Sequence, residues 1–301
     1  MTTRVGSVEL RAPVMTASGT AGHGDELAAY VDLSSIGAVV VKSLGSVPWP
    51  GNPSPRVHPT PSGMINSVGL QGPGAAAWRE HELPLVLATG ATVVASIWGR
   101  HVEDFASAAE QLAGVDAGVV ALEVNLSCPN LDGGAHLFAH DPVATSEAID
   151  AAGAAGLPRW AKLSANTDRV VEVAAAARDA GAEAVTVANT LMGMVIDVDR
   201  RRPLLGGGGG GVSGPAIHPV AVRTVYDVYS ALPDLPIVGV GGVVDGPTAV
   251  ELLRAGAAGV QVGTASFADP RAVGAVLEGV GQWCARAGVV RVRDLIGGAH
   301  V

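Results

Sequence analysis

The sequence predicts an α/β fold, a (β/α)8 barrel built from residues 1–301 as one domain. Three observations carry this reading. Eight short apolar runs recur along the chain, and Ala-rich amphipathic stretches separate most of them. The runs are apolar throughout, as in a parallel sheet covered on both faces. A chain of 301 residues, 48% of them hydrophobic, is long enough for one such barrel. A doubly wound open sheet is the rival arrangement of the same elements.

In chain order the strands are expected at "PVMTA" (13–17), "AVVVK" (38–42), "TVVASI" (92–97), "VVALEVN" (119–125), "RWAKLS" (159–164), "AVTVAN" (184–189), "PIVGVG" (236–241) and "GVQVG" (259–263). Helical periodicity marks 101–113, 142–155, 168–180, 218–231 and 246–256, with a last helix from about Pro270 to Ala287. Start signals support three of these helices: "DP" at 141–142, "NTD" at 166–168 and "DGP" at 245–247. Two connections are too long for plain turns and read as long active-site loops after strands 2 and 6. The first runs from Ser43 to about Trp78. The second runs from Thr190 to about Pro215 and contains "GGGGGG" at 206–211, which reads either as a mobile lid or as a flexible insertion.

Composition excludes several function classes. Two distant cysteines, Cys128 and Cys284, cannot form a disulfide framework or a four-thiolate metal or iron–sulfur site. No metal site is expected. A net charge of −9 argues against a nucleic-acid surface. No apolar run approaches a bilayer span, and "MTTRVGSVEL" has no apolar core after a basic flank, so a cytoplasmic protein is expected.

Barrels of this kind build their sites at the C-terminal strand ends. There the sequence places Ser18, Lys42, Ser43, Ser96, Asn125, Ser127, Cys128, Asn130, Lys162, Asn189 and Thr190, in a chain with only 16% charged residues. "GVGGV" after strand 7 and "VGTA" after strand 8 suit a phosphate held by backbone N–H groups, with Gly214 as a further donor. Lys42 and Lys162 have three readings: snorkelling surface residues, Schiff-base nucleophiles, or fixed cations beside an anionic cofactor. The inferred phosphate favours the last. Cys284, on the final helix, suits a buried thiol. Cys128 follows a strand and precedes a Pro, so it suits a nucleophile or a base.

Taken together, "MTASGTAG" (15–22), "VKS" (41–43), "GNPSPRV" (51–57), "GMINSVGLQGPG" (63–74), "NLSCPN" (125–130), "KLS" (162–164), "NTLMG" (189–193), "SGPAI" (213–217), "GVGG" (239–242) and "VGTASFADP" (262–270) resemble the class 1 dihydroorotate dehydrogenases. "GLQGPG" and "NTLMG" are closer to class 1B than to class 1A. The resemblance implies an FMN-containing barrel that oxidises (S)-dihydroorotate to orotate in pyrimidine biosynthesis. It makes Cys128 the general base at C5, while hydride passes from C6 to the flavin. Lys42, Asn66, Ser67, Asn125, Asn130, Asn189 and Thr190 would contact substrate. Ala17, Ser18, Lys42, Ser43, Ser96, Asn125, Lys162, Gly214, Gly241, Gly242, Gly263 and Thr264 would hold FMN.

The resemblance also implies a homodimer of this chain and a partner subunit carrying FAD and a [2Fe–2S] cluster, giving a heterotetramer that passes electrons to NAD+. Two positions depart from the family pattern: Ser96 stands where Asn is usual, and His218 replaces a commoner Lys. Competing readings are a flavoprotein acting on another dihydropyrimidine, a flavin-free aldolase barrel using Lys162, and a non-catalytic paralogue.

Overall fold

The computed structural model describes residues 1–127 and 137–300. The eight barrel strands fall within the eight expected runs: β1 (Val14–Thr16), β2 (Val39–Val40), β3 (Val93–Ile97), β4 (Val119–Asn125), β5 (Arg159–Lys162), β6 (Ala184–Val187), β7 (Ile237–Val240) and β8 (Gly259–Val262). They pair in parallel in the order β1-β8-β7-β6-β5-β4-β3-β2. Between β1 and β2 the ring closes through Gly37 N to Val14 O at 2.7 Å and Thr16 N to Ala38 O at 3.2 Å. The Thr16 hydroxyl adds to this seam by accepting from Val40 N at 2.8 Å, where a longer strand would place a carbonyl. A closed ring, not a doubly wound open sheet, is therefore what these runs build.

Outside the ring lie α1 (Ala75–His81), α2 (Leu83–Ala88), α3 (Val102–Gln111), α4 (Pro142–Ala151), α5 (Val170–Asp179), α6 (His218–Ala231), α7 (Gly246–Ala255), α8 (Ala265–Ala268) and α9 (Ala272–Ala287). Two of the expected starts act as caps. Asp141 accepts from Val143 N at 2.8 Å, and Asp245 forms a capping box with Thr248. The third does not. Asn166 directs its amide to Thr190 O and Met192 N, and α5 begins only at Val170. No helix among the described residues is long and apolar enough to cross a membrane.

Strand alternation divides the side chains into two sets. Val93, Ala95, Ile97, Leu122, Val124, Ala161, Leu163 and Val185 pack outward beneath the helices. Met15, Val40, Val94, Ala121, Trp160, Ala184 and Val238 point inward and fill the lower barrel. An N-terminal hairpin, Thr3–Val5 with Val8–Leu10, seals that end with Val5, Val8 and Leu10. Its three-residue strands are too short for periodicity to reveal.

The two long connections meet above the other end. Val57–Thr60 and Gly63–Asn66 from the first, and Leu191–Gly193 and Gly210–Ser213 from the second, form one antiparallel sheet. The glycine run is close-packed within it. A Cβ on Gly206 would strike the Pro53 carbonyl, one on Gly207 the Ser67 hydroxyl, and one on Gly211 the Thr190 side chain. At Gly206 and Gly210 the missing side chain lets backbone approach backbone, whereas Gly208 (φ 81°) has open space around it.

Candidate active site

The lower barrel is apolar, but the next inward layer is not. Glu123 on β4, Lys162 on β5, Thr186 on β6 and Gln261 on β8 meet at the barrel axis, each buried. The Glu123 carboxylate accepts from Gln261 Nε2 at 2.7 Å and Thr186 Oγ1 at 3.1 Å, and its other oxygen lies 3.4 Å from the Lys162 ammonium. Lys162 in turn donates to Ser18 Oγ at 3.1 Å.

Above this layer the strand ends open into a cavity of about 490 Å³ that the four-stranded sheet covers. Such a volume suits a small ligand or cofactor. One end is lined by Gly214, Gly241, Gly242, Gly263 and Thr264 and contains no charged side chain. Glycine is required there: a Cβ on Gly242 (φ 68°) would lie 2.6 Å from His218 Cβ. His218 holds this loop by donating from Nδ1 to Gly241 O at 2.8 Å, and its Nε2 lies 3.2 Å from Glu251.

At the other end is a chain of amides. Asn125 Nδ2 donates to Ser43 Oγ at 3.2 Å, and Asn125 Oδ1 accepts from Asn189 Nδ2 at 3.1 Å and Ser127 N at 3.2 Å. Asn189 Oδ1 accepts from Thr190 N at 2.8 Å. Asn66 reaches over from the covering sheet, where its amide donates to Gly211 O at 3.4 Å. Lys42 stands on the β2 side. Burial, and secondarily the Arg56 guanidinium, holds its ammonium below the ordinary lysine range. A second cavity, of about 700 Å³, lies behind Lys42 and is bounded by His23, Trp49 and Gln71. It is almost wholly apolar apart from these groups and lies outside the convergence of strand ends.

Against the expected contacts, the structure brings together Ala17, Ser18, Lys42, Ser43, Asn66, Ser67, Asn125, Lys162, Asn189, Thr190, Gly214, Gly241, Gly242, Gly263 and Thr264 around one cavity. Ser96 does not line it. That side chain is fully buried behind Ser43, oxygen to oxygen at 2.9 Å. Cys128 and Asn130 lie outside the described residues.

Dihydroorotate dehydrogenase is the family whose profile matches the chain, across residues 1–283. The chain belongs to the dihydroorotate dehydrogenase family. Among its curated relatives, a protein of Trichlorobacter lovleyi is 44% identical over 298 residues, covering 99% of this chain and 97% of the relative. One from Geobacter sp. is 45% identical over 298 residues, with 99% and 97% covered. One from Desulforudis audaxviator is 45% identical over 297 residues, with 98% and 96% covered. Each is named dihydroorotate dehydrogenase B (NAD(+)), catalytic subunit.

Sequence reasoning missed several residues that line this cavity. Asn52, Met64, Leu70, Ser213 and Phe267 also line the cavity, from irregular chain, from short strands of the covering sheet and from the four-residue α8, none long enough for a periodic signal. Glu123, Thr186 and Gln261 did carry one. Each is a polar residue at an inward position of an otherwise apolar strand, spaced by two from its inward neighbours.

Proposed function

We propose that this chain is the catalytic subunit of an NAD+-linked dihydroorotate dehydrogenase, oxidising (S)-dihydroorotate to orotate with FMN as its bound cofactor. The observation that carries the reading is the cavity itself: an uncharged glycine end, two lysines and a chain of amides at the mouth of a closed barrel. The full-length family match supports it.

The residues present fit FMN. Peptide N–H groups of Gly214, Gly241, Gly242, Gly263 and Thr264 suit its phosphate, and Gly241 and Gly242 pack too closely against Ala221 and His218 for any side chain to stand there. Ala17, Ser18, Ser43 and Lys162 would hold the ring, with Ser96 acting through Ser43. When bound, FMN supplies a hydride acceptor for C6 of the substrate. The protein supplies the rest. Asn66, Ser67, Asn125, Asn130, Asn189 and Thr190 would orient a ring that needs both donors and acceptors, and Lys42 would face its carboxylate. Cys128 would take the proton at C5, which is only weakly acidic. Ser127, the residue directly before it, lines the cavity. A thiol of ordinary pKa, about 8.5, serves as a base near neutral pH.

The two cysteines of the chain cannot ligate a [2Fe–2S] cluster. Electrons would therefore leave through a partner subunit bearing that cluster and FAD, around a homodimer of this chain in the cytoplasm. All 301 residues would serve as one catalytic domain. The test is to release the flavin from the purified chain, identify it, and assay orotate with an artificial acceptor. FMN and orotate are expected. A flavin-free chain, or one that oxidises dihydrouracil but not dihydroorotate, would refute the proposal.

A further inference from the structure

The Glu123 carboxylate does not line the cavity, yet among the described residues it is the one acid that touches Lys162. It is fully buried, and the Lys162 side chain is 5% exposed. One Glu123 oxygen is occupied by Gln261 and Thr186, which fix its rotamer from two other strands. The other accepts no hydrogen bond and faces only Lys162 at 3.4 Å. That arrangement is costly for a purely structural role. A buried carboxylate and ammonium stabilise a fold poorly, and apolar residues of similar volume do as well or better. Among the described residues Lys162 has one further partner, the Ser18 hydroxyl, which carries no charge.

We infer that Glu123 is a positioning residue that keeps Lys162 charged and aimed at the cofactor. This rests on the FMN reading above. Burial without a carboxylate alongside disfavours the charged form of an ammonium. With Glu123 in place, Lys162 presents a fixed cation to the bound ring, where negative charge gathers on reduction. Without Glu123 the lysine keeps no carboxylate beside it among the described residues. Replacing Glu123 and replacing Lys162 should therefore have one shared effect on the flavin, not two separate ones.

The experiment is a cycle of Glu123→Gln, Lys162→Met and the double variant, read as the midpoint potential of bound FMN against a reference dye. Both single variants should disfavour the reduced flavin about tenfold, equal to about 30 mV for a two-electron couple. The double variant should match Lys162→Met with no further shift. An unchanged potential in Glu123→Gln, a shift opposite to that of Lys162→Met, or additive shifts would overturn the inference.

A second measurement needs neither flavin nor activity. In the flavin-free chain, Glu123→Gln should speed acylation of Lys162 by acetic anhydride at least about tenfold, the ratio carried by one unit of proton affinity. Peptide mass spectrometry reads this directly, and equal rates would overturn the inference. Glu123→Asp, drawn back by one methylene, should fall between the two and takes over if Glu123→Gln fails to fold. A parent chain that binds no FMN would sink the functional proposal instead, leaving acylation to decide on Glu123.

Discussion

Asn125 is held from three sides, by Ser43, by Asn189 and by the backbone of Ser127, so its amide orientation is set before any ligand arrives. Under the proposed function, substrate orientation would depend on amides already locked in place. Asn189→Ala should weaken substrate binding by about 1–3 kcal/mol, because it strips a partner from substrate and from Asn125 alike. Titrating the oxidised enzyme with orotate checks this, and FMN content should not change. Cys128→Ala should slow flavin reduction by about 10²–10⁴-fold with FMN retained, the usual loss for a general base. Rapid-mixing absorbance measures it. Lys42 shows what such a site costs the fold: burial disfavours its ammonium. Lys42→Met should therefore raise the melting temperature of the flavin-free chain while impairing turnover, a trade of stability for function that calorimetry and steady-state rates can read together.

At the scale of elements, the covering sheet joins two loops that are far apart in sequence, and its two inner strands, Gly63–Asn66 and Gly210–Ser213, contain glycine where strands normally avoid it. Gly211→Ala would push against the Thr190 side chain and should cost about 1–3 kcal/mol, as overpacking does. Faster hydrogen exchange at 63–66 and 210–213, with a raised KM, is the expected outcome. The eight barrel strands were legible because a parallel strand buried on both faces is an unbroken apolar run of usable length. The covering sheet was not. Its strands are short, two are rich in glycine, and their pairing brings residues near 65 against residues near 212, a contact no local pattern encodes. Asn166 misled for a related reason: a residue type that caps helices was recruited to hold the Thr190 loop. The site lysines and asparagines could be read because they stand at strand ends, where a barrel gathers them. Glu123 was hidden within a strand read only for its apolar character.

For the whole molecule, stability and chemistry occupy opposite ends of the barrel. The hairpin side chains Val5, Val8 and Leu10 close an apolar floor, and the charged layer begins one residue pair higher. Leu10→Ala should therefore destabilise the chain by about 2–5 kcal/mol while the turnover of each FMN-loaded molecule stays within about twofold. Denaturant unfolding and a rate normalised to flavin content separate the two effects. Between floor and cavity, the ion pair links packing to chemistry. In the proposed reaction this cavity, in this chain alone, moves reducing equivalents from dihydroorotate to FMN. Mixing the purified FMN-loaded chain with dihydroorotate in the absence of oxygen tests it most directly. The flavin's visible absorbance should bleach in a single turnover, with orotate formed in equal amount. A flavin that stays oxidised under excess dihydroorotate would contradict it.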